Sequence, residues 1–165
     1  MKKLLIIAIC FLSLLASSSV VLGKLQLLPL SYMVEKAEII AIGRVVKVEQ
    51  TSEKRGEALL SKATIEIEKT FKGNRHTKTI EAFFLQDTED EPKYSIADRS
   101  VFFIHKYRGK LQTLQGYAGK IDIANDEARN IHMHRESSNQ QLDGFINKIE
   151  KLLKQKSVTE QQKGE

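Results

Sequence analysis

Two runs of alternating apolar and polar residues dominate the chain between Glu38 and Phe71. In the second run, Lys62 to Phe71, the residues Ala63, Ile65, Ile67 and Phe71 point one way. Thr64, Glu66, Glu68 and Thr70 point the other, and only Lys69 is out of step. A period of two predicts a strand with one buried and one wet face. The first run, Glu38 to Glu49, sets Ile40, Ile42, Val46 and Val48 on one parity, and Arg44 falls on that parity too. Gly43 stands just before the misfit, so a β-bulge is expected there, bending the strand. A ligand-facing Arg44 is the functional alternative. Polar Thr51 to Ala58 reads as the hairpin loop joining the two arms.

The flanking elements follow from the same signals. Ser31, after Pro29, offers an N-cap for a short helix through Ala37, with Met33, Val34 and Ala37 on one face. Lys78 to Leu85 alternates and predicts a third strand, followed by an acidic loop from Gln86 to Tyr94. Ser100 to Tyr107 holds the continuous run Val101-Phe102-Phe103-Ile104, expected of a strand buried on both faces. Arg108-Gly109 predicts a two-residue turn into a fifth strand, Lys110 to Gln115. Gly116 to Gly119 breaks it, and Lys120 to Ile123 is one more short strand. Ile131 to His134 reads as an edge strand. Ser138 with Gln141 forms a capping-box pattern ahead of a helix to about Lys154, striped by Leu142, Phe145, Ile146, Ile149, Leu152 and Leu153. Residues 155–165 are polar and read as a flexible tail. Long, bent first strands are what small closed barrels need to serve both halves of the wall. The expected fold is therefore mainly β: an OB-fold-like barrel of five to six strands over residues 31–154, with a short N-terminal helix and an amphipathic C-terminal helix.

The N-terminus changes the picture of compartment. Met1-Lys2-Lys3 precedes an apolar stretch from Leu4 to Leu15, interrupted by Ser13, and then three serines and Val20-Val21-Leu22-Gly23. This order matches a signal peptide over residues 1–23, cleaved before Lys24 or, less far along, before Ser19. It implies export to the periplasm or the medium, with no membrane span after cleavage. Cys10, the single cysteine, lies inside that segment, so the mature domain carries neither disulfide nor thiolate. The formal charge of +5 becomes +3 once Lys2 and Lys3 are gone, with both signs mixed along the chain. Such a balance mildly favours anionic partners and is weak evidence for nucleic acid; a solvated mixed-charge surface is the expected reading.

Candidate chemistry is sparse. His132 and His134 lie two apart and would face the same way on a strand, as a metal pair needs, with Asp122, Asp126 and Glu127 near in sequence. No other metal candidate stands out, and no cofactor is implied. His76 sits in a polar turn, and His105 shares a parity with Phe103 and Tyr107, as a half-buried strand histidine does. No G-x-S-x-G elbow, P-loop or G-x-G-x-x-G occurs. Glu66 and Glu68 share the wet face of one strand, where solubilising carboxylates belong. The aromatics, Phe83, Phe84, Phe102 and Phe103 among them, sit in apolar runs and read as core.

The segments "AEIIAIGRVVKVE", "ATIEIEKTFKG" and "RSVFFIHKYRGKLQTLQGYAGKIDI", with the closing helix, resemble a group of small exported bacterial OB-fold-like barrel domains. Their shape is similar to the N-terminal domain of tissue inhibitors of metalloproteinases and to netrin-type domains. The likeness runs from Ser31 to Leu153 and is one of strands and glycines; those inhibitors' N-terminal cysteine and disulfides have no counterpart here. It implies a shape, and no catalytic residues come with it. The expected function is an exported, non-enzymatic binding or envelope-associated module for an unknown protein or envelope ligand. The alternative is a secreted metal-assisted hydrolase using His132 and His134.

Overall fold

The computed structural model describes residues 29–86, 88, 90–129 and 139–162. The expected leader and the stretch with His132 and His134 lie outside them. The chain is mainly β. Strands β1 (Ile39–Arg55), β2 (Ala58–Lys72), β3 (Thr79–Leu85), β4 (Arg99–Tyr107), β5 (Lys110–Thr113), β6 (Lys120–Ala124), β7 (Glu127–Arg129) and β8 (Asn139–Gln141) join helices α1 (Leu30–Lys36) and α2 (Leu142–Gln162). The sheet is antiparallel and runs β3-β2-β1-β4-β6-β7-β8, with β5 paired to β4 beside this path. No ladder among the described residues closes the path. In place of the expected closed barrel of five or six strands stands, among the described residues, an open sheet of eight, in which β5 pairs with β4 alone and β7 and β8 extend the path past β6. No helix among the described residues is long and apolar enough to cross a membrane.

Two hydrophobic clusters lie on opposite faces of the central strands. One gathers Ile40 and Ile42 of β1 and Val101 and Phe103 of β4 beneath α1 (Met33, Val34) and α2 (Phe145, Ile149). The other gathers Val45, Ala63, Ile65, Ala82, Phe84, Tyr94, Phe102 and Ile104. Strand β4 feeds both, Phe102 to one and Phe103 to the other, each with no exposed surface. That is why Val101–Ile104 is apolar without interruption. Burying two such rings removes roughly 300–500 Å² of aromatic surface from water, the largest contribution of any neighbouring pair here.

β1 slips against β2 at the expected place, between Ile42 and Gly43, and slips again further along. Gly43 is needed for a close approach: a Cβ there would stand 2.7 Å from the Glu66 carbonyl oxygen and 2.7 Å from Ile65 Cγ2. The register of β1 on β2 slips between Val45 and Lys47, leaving Val46 unpaired and 43% exposed. After this bulge the parity reverses, so Val48 packs on the cluster of Val45 and not with Ile42.

The hairpin is also longer than expected. Thr51 to Ala58 is no loop: both arms continue to a turn at Gly56-Glu57, where Gly56 takes φ +64°. Ion pairs hold the polar extension, Arg55 Nη1 to Glu91 Oε1 at 2.8 Å and Lys110 Nζ to Glu53. Helix α2 starts at Leu142, so Gln141 belongs to β8 and not to a capping box; the Leu142 N–H donates instead to the Asp126 carbonyl at 2.8 Å. The helix continues past Lys154 to Gln162. Arg108-Gly109 makes the expected turn with both φ positive, and Gly116–Gly119 is a single 3-10 turn.

Candidate functional site

Alternation along β1 and β4 carries a second consequence. Ile40 and Ile42 point under the helices, and Arg44 follows them on the same face; Val101 and Phe103 do likewise, and Arg99 precedes them. Arg44 and Arg99 are direct cross-strand partners. Two like charges opposite one another destabilise a sheet by some tenths of a kcal/mol to about 1 kcal/mol. Here the helices no longer cover the face, and the arginines open onto solvent.

A single carboxylate bridges the two arginines. The β1–β2 register slips between Ile42 and Gly43, which leaves Glu68 without a partner across the ladder. A bulge residue can re-aim its side chain, and Glu68 turns to the arginines. Arg99 Nε donates to Glu68 Oε2 at 2.7 Å, and Arg44 Nη2 stands 3.7 Å from Oε1. Arg44 Nη1 also donates to the Ala97 carbonyl at 3.1 Å, where Ala97 holds a positive φ of 75°. These two arginines form one wall of a depression of about 550 Å³, which is completed by Ala97, Asp98 and the β6–β7 hairpin from Asp122 to Asp126.

Acid also comes from the other face of the strands, where Lys120 lies. Lys120, whose side chain is 6% exposed, donates to Asp98 Oδ2 at 3.0 Å and to Asp122 Oδ1. Ser100 Oγ donates to the same Asp122 oxygen at 2.8 Å. This buried ammonium, satisfied by two carboxylates, fixes the loop before β4 to β6. Asn125 and Asp126 make the hairpin turn in the left-handed region, at φ 52° and 57°, which short polar side chains tolerate. Counting bridging partners, three cations meet four carboxylates around the depression.

The remaining candidates are placed apart from it. His132 and His134 lie outside the described residues, and among those described no three His, Cys, Asp or Glu side chains converge as metal ligands. His76 is exposed, and its backbone N–H donates to Asn74 Oδ1 at 2.9 Å. His105 on β4 is held below the usual imidazole range by burial, against the opposing pull of Glu38. Glu127 pairs with Arg129, and Glu66 is exposed opposite Arg44. In the acidic loop Glu91 is pushed above the usual carboxylate range by burial, although Arg55 pulls it down. The Tyr94 hydroxyl is raised by full burial. Arg99, Glu68 and Lys120 are the site residues that sequence reasoning missed. The run Arg99-Ser100 beside a buried strand was their only local signal.

No protein-family model matches this chain, and no curated protein matches it either.

Proposed function

We propose that the chain is an exported, non-enzymatic binding module whose ligand seats in the depression walled by Arg44 and Arg99. The observation that carries this reading is the cross-strand arginine pair, an arrangement that folding alone disfavours, opening onto a concave surface of ligand size. Export rests on the leader pattern of Met1–Gly23. The OB-like shape draws support from β5 leaning toward β3: Lys110 Nζ lies 4.3 Å from the Phe83 ring centre, and Leu111 packs on the cluster holding Phe84.

The test is a screen of small anionic, cationic, zwitterionic and apolar fragments against isotope-labelled mature protein, mapped by backbone amide shifts. Hits should perturb Ala97–Ser100 and Ile123–Asp126 together. Hits confined to other surfaces, or none at all, overturn the reading.

A further inference from the structure

The two sides of the depression present complementary unused groups. Arg99 spends only Nε on Glu68; among the described residues nothing engages its two terminal amino groups. A guanidinium with both terminal nitrogens available is shaped to grip a carboxylate through two parallel hydrogen bonds. The Asp126 carboxylate, which also lines the depression, has no partner among the described residues, while its backbone carbonyl accepts from the Leu142 N–H. That anchor holds the acidic turn against the start of α2, so the acceptors do not need to be ordered at binding.

Asp122 pairs with Ser100 and is hydrogen-bonded to it, so its carboxylate leaves the sheet on the face opposite Arg99; the Asp126 turn, past the end of β6, is the acid that borders the depression with the arginines. Because cations and carboxylates nearly balance, the depression has no preference for a strongly charged ligand. A singly charged ligand would satisfy one side and desolvate the other without compensation.

We infer that the depression takes a small zwitterion, an amino acid or a dipeptide with both a free carboxylate and a free ammonium. This names the ligand class for the surface proposed above and rests on that reading. The carboxylate meets the terminal nitrogens of Arg99 with Arg44 beside it, and the ammonium meets the Asp126 carboxylate. Glu68 stays in place and keeps the two guanidinium groups apart.

Calorimetric titration of the mature protein at low salt tests this with three matched compounds: alanyl-alanine, its N-acetyl form and its C-terminal amide. The zwitterion should bind about tenfold or more tightly than either capped form. Arg99→Gln should weaken the acetylated and free dipeptides alike, and Asp126→Asn should weaken the free dipeptide and the amide alike. Asn tolerates the left-handed turn, so the second variant keeps its fold. Capped compounds that bind as well as the zwitterion overturn the inference. If none of the three binds while the fragment screen still maps to the depression, the zwitterion class falls and the binding module stands. If the screen is empty there as well, both fall.

Discussion

Two stretches of the same sheet face, two residues apart, have opposite fates. At Ile40, Ile42, Val101 and Phe103 the face is apolar and covered by α1 and α2. At Arg44 and Arg99, one step further along the same strands, it is charged and open. The β1–β4 pairing is continuous across the boundary, while β1 slips against β2 there and the helices stop. What lies beneath the helices is constrained by packing, because interiors are filled to crystal-like density. What lies beyond them is freed from that demand and can hold a costly pair of like charges. The contrast separates residues that serve folding from residues available for recognition.

The strongest way to break this contrast is to empty the covered part. Phe103→Ala should cost about 3–5 kcal/mol, read by urea unfolding, since the ring is fully buried between sheet and helices. A loss under about 1 kcal/mol would mean that the helices do not depend on this face. The next largest effect should come from the boundary itself. Lys120→Met keeps most of the side-chain volume but leaves Asp98 and Asp122 without their shared cation. Both carboxylates are partly solvated, so about 1–3 kcal/mol is expected, not the larger penalty of a sealed ion pair.

A smaller effect should appear with pH. Burial lowers the His105 pKa from 6.5, so the folded state disfavours the imidazolium. Between the lowered folded value and 6.5 the unfolded chain binds more protons, and stability rises with pH in that window. Acidifying below pH 6.5 should therefore cost a little stability, and His105→Gln should remove that part of the slope. An unchanged slope in the variant would assign the dependence to other groups.

Much of the sheet was legible because burial leaves a mark in sequence. Val101–Ile104 announces a strand covered on both sides, and Leu142, Phe145, Ile146 and Ile149 announce the face of α2. Where no burial acts, the pattern is silent. Thr51–Ala58 has the sequence of a loop because an exposed hairpin arm needs no apolar residue, and its stabilising partners, Glu91 and Lys110, are distant in sequence. The slip at Gly43 is advertised by that glycine and the misfit Arg44, while the second slip, at Val46, leaves no such mark because it depends on how β2 fits alongside. Of the depression, Arg44 is visible as a residue out of step with its strand, and Asp122 and Asp126 as acids close to the histidine pair. Arg99 and Glu68 join them through strand pairing and a register slip, which local periodicity does not encode.

The most direct measurement is the unfolding free energy of the double variant Arg44→Gln with Arg99→Gln, alongside the wild type. If the pair is kept for recognition, stability should stay within about 0.5 kcal/mol of wild type, as for other exposed charges. A loss of about 2 kcal/mol or more would contradict the account by making the arginine pair part of what holds the sheet together.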